Sequence, residues 1–251
     1  MTQTRGRVSR LIDTARDSFA GLITPMNCPI CDAETEGLPI CRDCRDELSE
    51  TGLACPRCAM SVGPWSSLVG GCDDCRDRPL GFDGALALGP FNGPIRELCL
   101  RIKHQQDAWL ARWLAELLAD ARRDAFGSEI AVDRRAMVVP VPLHWHRRLR
   151  RGYNQSEALA NALAARLGLR TALPLRRIKG AAILAGAGRT ERLERLKGAF
   201  RSRHRLDGRT ILLVDDILTS GATCGAAARA LKKAGATRVV AVVIGRAEGR
   251  G

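Results

Sequence analysis

No apolar run in this chain approaches the ~18–20 residues needed to cross a bilayer. The first twenty residues mix Arg and Asp and lack the apolar stretch of a secretory signal. The reading is therefore a cytoplasmic protein with no membrane insertion. Internal repeats are absent, which excludes solenoid and propeller arrays. A G-x-x-x-x-G-K-[ST] loop is absent too, which removes a P-loop nucleotide hydrolase. Acidic residues are scarce relative to basic ones: 27 against 40, a net charge of +13. An enzyme of small neutral metabolites does not need that surplus. Nucleic acid or a polyphosphorylated ligand is its natural counterpart, with an arginine-rich proteome as the bland alternative.

The 251 residues carry a 45% hydrophobic fraction, enough for one sizeable core and an appendage. Eight of the ten cysteines form four C-x-x-C pairs, all before residue 76: Cys28/Cys31, Cys41/Cys44, Cys55/Cys58 and Cys72/Cys75. In a cytosolic chain this density reads as structural zinc, one or two ions, rather than disulfides. Two thiolates two residues apart bite one tetrahedral ion, and a second pair closes the site. Adjacent pairing gives two ribbons, and a crossed arrangement is equally compatible with the spacing. Cys99 and Cys224 lie outside the pattern and read as small buried residues.

Residues 211–214, Ile-Leu-Leu-Val, form an apolar run that enters Asp215 and Asp216. Such a run reads as a buried parallel strand. Thr219, Ser220, Gly221, Ala222 and Thr223 follow, then an alanine-rich helical segment. Hydroxyls, backbone N–H groups and a helix start in that order can wrap a phosphate. The two carboxylates can hold ribose hydroxyls, or a magnesium ion carried by the substrate.

Further strands are expected at Phe82–Leu88, Ala136–Val141 and Val239–Ile244. Helices are expected at Val8–Phe19, Pro94–Lys103, Ala108–Ala121 and Glu157–Leu167, and Arg189–Phe200 reads as a charged helix or loop. Alternation of strands and helices implies a parallel sheet. The second strand ends in Pro140-Val141-Pro142 and leads into His144-Trp145-His146-Arg147-Arg148-Leu149-Arg150-Arg151-Gly152-Tyr153. Arg147, Arg148 and Arg151 could grip a pyrophosphate bidentately. Trp145 and Tyr153, interleaved with Arg147, Arg148 and Arg150, could instead stack and hold single-stranded nucleic acid.

Taken in order, these features resemble the ComF family of competence-associated proteins along nearly the whole chain. The resemblance rests on the C-x-x-C series, Pro79-Leu80-Gly81-Phe82-Asp83, Ile102-Lys103 and Pro140-Val141-Pro142-Leu143. It rests equally on Arg151-Gly152-Tyr153-Asn154-Gln155, Gly198-Ala199-Phe200 and the 211–223 string. It implies an α/β, type I phosphoribosyltransferase-like parallel sheet behind a small zinc-ribbon module. The implied division is an N-terminal helical extension at 1–27, a zinc-finger module at 28–80 and the transferase-like domain at 81–251. It also implies a role in DNA uptake, with single-stranded DNA, 5-phosphoribosyl diphosphate with magnesium, and other uptake proteins as partners. Asp215 and Asp216 would then be the catalytic pair if the domain is active. The family's polar positions before Gly-Ala-Phe are replaced here, at Leu184, Ala187-Gly188 and Arg195. That departure bears on base recognition and leaves the phosphate grip intact.

Overall fold

A computed structural model of the chain describes residues 27–35, 39–49, 52–143, 148–149, 151–178 and 194–248. The chain forms two compact units, Met1–Glu47 and Leu48–Gly251. In the first, an antiparallel bridge pairs Asn27 with Glu34 around the Cys28 knuckle. Cys44 lies in helix α1 (Arg42–Ser49).

The larger unit begins with the second cysteine quartet and continues into β1 (Gly84–Pro90), α2 (Gly93–Arg101), α3 (Leu110–Ala121) and α4 (Arg123–Val132). Next come β2 (Met137–Pro140), α5 (Gln155–Leu167), β3 (Arg170–Thr171), β4 (Leu175–Arg177) and β5 (Phe200–Ser202). β6 (Thr210–Leu218), α6 (Ala222–Lys233) and β7 (Arg238–Arg246) complete it. Five strands form a parallel sheet in the order β1-β7-β6-β2-β3. β4 and β5 form a separate antiparallel pair.

The central strands are apolar on both faces because helices cover both. Ile211 to Val214 in β6 and Val239 to Ile244 in β7 are all buried. α3 turns Leu110, Leu114, Leu117 and Leu118 inward at helical spacing. α5 starts at Asn154, whose side chain accepts from the Ser156 N–H, and stops at Gly168, whose φ of 67° suits glycine.

The sheet order creates a switch point. From β2 the chain moves outward to β3, and from β6 it moves the other way to β7. The carboxyl ends of β2 and β6 are therefore neighbours with connections leaving in opposite directions, the place where open α/β sheets take ligands.

Two details differ from the sequence reading. β6 continues through both aspartates to Leu218, so Asp215 and Asp216 belong to the strand itself. Pairing with β7, which runs on to Leu218↔Arg246, keeps the strand regular there. Moreover, Cys55, Cys58, Cys72 and Cys75 share one buried cluster with Leu80, Phe82, Ile211 and Leu213. The compact unit that starts at Leu48 therefore includes this quartet. The physical reason is local: β1 is an edge strand, and its Ala85 N–H donates to the Pro56 carbonyl at 3.0 Å. The segments 1–26 and 179–193, with the expected Val8–Phe19 helix and part of the 189–200 stretch, lie outside the described residues.

Candidate functional site

Two acidic side chains sit at the switch point with their own fixed partners. Ser156 Oγ donates to Asp215 Oδ1 at 2.9 Å. Gln155 Nε2 donates to Asp216 Oδ2 at 3.4 Å. Lys103 Nζ lies 3.6 Å from the same oxygen. The start of α5 therefore aims two consecutive residues at two consecutive aspartates. Its Asn154 cap is in turn anchored on β2's exit, donating to the Val141 carbonyl at 3.5 Å.

Burial, and then the adjacent Asp216 charge, pushes the Asp215 carboxyl well above the usual carboxylate range. The Ser156 hydroxyl opposes that shift without cancelling it. When both groups are ionised, two carboxylates face one ammonium, a balance that favours hydroxyl donors or a cation-bearing ligand.

The loop after β6 is built to turn sharply. Gly221 has φ 78°, the left-handed region where a side chain is strained. Gly225 N–H donates to the Gly221 carbonyl at 2.7 Å as α6 begins. Ser220 Oγ accepts from the Ala222 N–H at 3.4 Å. Thr219 is exposed, while Ser220 and Thr223 are half-buried. Opposite, the Val141 N–H donates to the Val214 carbonyl at 2.8 Å, which fixes Pro140, Val141 and Pro142 beside the aspartates.

A buried cation braces this loop from behind. Arg246, 2% exposed, ends β7. Its Nη1 donates to the carbonyls of Leu218 at 3.0 Å and Thr219 at 2.7 Å. Its Nε donates to the Cys58 carbonyl at 2.8 Å.

The cysteines assemble by adjacent pairing. Cys28, Cys31, Cys41 and Cys44 form one group and Cys55, Cys58, Cys72 and Cys75 another, with sulfurs in each within 4.8 Å of one another. Measured pairs include Cys31–Cys41 at 3.5 Å, Cys58–Cys72 at 3.6 Å and Cys55–Cys75 at 3.7 Å. A tetrahedral zinc with ~2.3 Å Zn–S bonds needs sulfurs ~3.8 Å apart, so the geometry fits. None of the ten cysteines is in a disulfide. The two knuckles share one backbone design: Asp32 and Ala59, each just after the second cysteine, have φ near 60°. Burial works against the Cys55 thiolate, but N–H groups from Cys72 and its own knuckle prevail and hold it down at about 7. Arg57, inside the second knuckle, donates to the carbonyls of Gly70 at 3.0 Å and Arg76 at 2.7 Å, closing the return loop.

The basic loop is only partly described: His144, Trp145, His146, Arg147 and Arg150 lie outside the described residues. Arg148 stands 3.8 Å from Glu157. Arg151 donates to Gln155 Oε1 at 3.2 Å, and Tyr153 donates to the His104 carbonyl at 3.2 Å. Burial pushes the Tyr153 phenol up to about 12. Cys99 and Cys224 are buried, and burial pushes both thiols up, which makes them poor nucleophiles.

Lys103, Gln155, Ser156 and Arg246 were not read as site residues from the sequence. Lys103 and Gln155 stood inside motifs that already carried the family resemblance. Ser156 and Arg246 had no local signal, because their partners are 59 and up to 188 residues away.

Residues 154–251 match the phosphoribosyl transferase domain model. The chain is 28% identical over 216 residues to competence protein F of Haemophilus influenzae, covering 84% of this chain and 86% of that one. It is 28% identical over 218 residues to DNA utilization protein YhgH of Escherichia coli, covering 84% and 86%. Competence protein ComFC of Bacillus subtilis is 29% identical over 205 residues, covering 78% and 79%. These likenesses bear out the resemblance to the ComF family and the transferase-like α/β fold. No helix among the described residues is long and apolar enough to cross a membrane.

Proposed function

From the chain's ComF-family kinship we propose that it serves DNA uptake as a binding protein, and that its larger unit grips a 5-phosphoribosyl diphosphate at the switch point. One observation carries the ligand: the Asp215–Asp216 pair ends at the mouth of β6, directly before a loop with Gly221 in the left-handed region. Asp215 and Asp216 accept from the ribose hydroxyls, with Ser156 and Gln155 holding their orientation. Thr219, Ser220, Gly221, Ala222 and Thr223 surround the 5′-phosphate with hydroxyls and N–H groups. Pro140, Val141 and Pro142, with Arg147, Arg148 and Arg151 beyond, face the diphosphate. Magnesium on the diphosphate supplies countercharge when bound, which suits the carboxylate excess. The competence and DNA utilization names of the relatives support the uptake role. Single-stranded DNA and other uptake proteins are the macromolecular partners in this reading.

The second reading is an active phosphoribosyltransferase. The matching domain model and the Asp215–Asp216 pair favour it, since transfer through an oxocarbenium-like state needs mainly charge stabilisation. Calorimetric titration with 5-phosphoribosyl diphosphate and magnesium tests the shared site. Saturable binding, abolished by joint Asp215→Asn and Asp216→Asn substitution, supports it; equal affinity of variant and wild type refutes it. Pyrophosphate release on adding nucleobases then selects the enzyme reading, and binding without release selects the binding protein.

A further inference from the structure

A cluster of cations in the larger unit stays outside the phosphoribosyl site. A hollow of about 650 Å³ lies between the β4–β5 pair and the outer face of α6. Arg201, Arg203, His204, Arg205, Arg229 and Lys233 line it. All six are exposed. A second hollow of about 390 Å³ shares His204 and Arg205 and adds Arg209. The two hollows adjoin at His204 and Arg205, and among the described residues neither lining contains an Asp or Glu. The four arginines of the first hollow and Lys233 make no ion pair with a described carboxylate. Elsewhere the surface cations are often partnered, as in Arg112–Glu116, Arg166–Asp120 and Arg238–Glu129.

Hydrogen bonds frame this flank. Arg203 N–H donates to the Pro174 carbonyl at 2.8 Å. Ser202 Oγ donates to the His204 carbonyl at 2.8 Å, which braces the turn that presents the cations. The floor is α6, where Ala226 and Ala230 keep the hollow open by being small. Phe200 is buried and has Arg177 over its ring at 5.5 Å, so it offers no free stacking face. The exposed groups around the hollow are mostly cations, which suit phosphates.

The geometry points to a single-stranded nucleic-acid track along this flank, with Arg201, Arg203, Arg205 and Arg209 on one wall and Arg229 and Lys233 on the other. It rests on the DNA-handling part of the proposed function and says where the strand lies. A hollow of this size admits the sugar and phosphate of a nucleotide chain. Arg229 stands about 10 Å from Ala222 along α6, at 1.5 Å per residue. Strand and phosphoribosyl ligand therefore occupy different stretches of one helix and need not compete. The described part of the basic loop after β2 is the less open alternative, because Arg148 and Arg151 already have partners there.

The test is fluorescence anisotropy of a labelled single-stranded thymidine oligomer titrated with the full chain across a salt series. Wild type should show affinity that falls steeply with salt. Joint Arg201→Gln, Arg203→Gln and Arg205→Gln should weaken binding by about tenfold or more and flatten the log–log salt slope by about two units, at ~0.7 for each phosphate no longer neutralised. Lys233→Gln, on the opposite wall, should flatten it by about 0.7. Melting temperature and zinc content should stay at wild-type values, which separates a missing cation from a damaged fold. A triple variant that binds as wild type overturns the track and moves the strand elsewhere, and absence of any strand binding by wild type overturns it outright. Titration of 5-phosphoribosyl diphosphate into the triple variant should be unchanged. Failure of that ligand to bind wild type would sink the phosphoribosyl reading while leaving the strand measurement to stand or fall alone.

Discussion

Arg246 donates from its Nε to the carbonyl of Cys58 at 2.8 Å, within the Cys55–Cys58 knuckle. The same guanidinium holds the carbonyl of Thr219, the first residue of the loop after β6, at 2.7 Å. Its Nη2 lies 3.3 Å from Asp74. One buried cation thus satisfies carbonyls from two elements that the chain places far apart. Replacing it leaves those acceptors without this donor. Arg246→Met should destabilise the larger unit by ~3–5 kcal/mol in chemical denaturation. Arg246→Lys should restore little of this, because one ammonium cannot span the fork. An unchanged midpoint in the Met variant would refute the role.

The two cysteine groups should respond differently to removal of a ligand. Elemental analysis should find up to two zinc ions per chain, and the substitutions separate them. Cys58→Ser should lower the melting temperature of the larger unit, because that quartet shares its core. Cys28→Ser should remove one zinc and leave the main transition in place, because that group lies in the other compact unit. Identical effects from both variants would contradict the division. Less than half an equivalent of zinc in wild type, with oxidised cysteines, would remove the metal assignment altogether.

Asp215 sets up a trade between stability and binding. Its folded pKa is raised above the unfolded value, so the folded state retains a proton that the unfolded chain releases. Stability must then fall as pH rises from the ordinary carboxylate range toward the raised value, and stay low above it. Asp215→Asn removes that dependence. The variant should melt higher than wild type at neutral pH and converge with it in acid. The same variant should bind 5-phosphoribosyl diphosphate more weakly, by ~1–3 kcal/mol. A parallel shift at all pH values would show that burial of the charge is not the cause.

Gly225 is where α6 meets the chain entering β1. A Cβ there would collide with the Leu80 carbonyl, and one at Gly81 would stand 2.7 Å from the Gly225 carbonyl. Backbone crosses backbone with no room for side chains. Gly225→Ala should cost about 1–3 kcal/mol of stability, although alanine is the better helix former. A gain in melting temperature would show that the crossing can relax.

Much of this arrangement was legible from local pattern. Ile211 to Val214 announced a buried strand because parallel strands are apolar on both faces. The two cysteine groups were foreseeable because C-x-x-C spacing lets two thiolates reach one ion. The 219–223 loop stood out because hydroxyl residues and a glycine precede a helix start. What stayed hidden was long-range. Nothing near Arg246 told of Cys58, and nothing near Ser156 told of Asp215. Short β3, β4 and β5 have too few residues for a two-residue period to register. The choice between adjacent and crossed cysteine pairing also needed coordinates, since spacing alone satisfied both.

The order in which the chain is made adds a last consequence of the Arg246 bond. A ribosome releases Cys58 long before Arg246, 188 residues later. At ~5–20 residues per second the interval is on the order of ten seconds or more. β1 also waits, since among the described residues its sheet partner is the late strand β7. The nascent second knuckle and the edge strand therefore lack their final donor and their ladder during most of synthesis. If the quartet takes zinc, the ion would have that interval to load before the fold closes over the thiols.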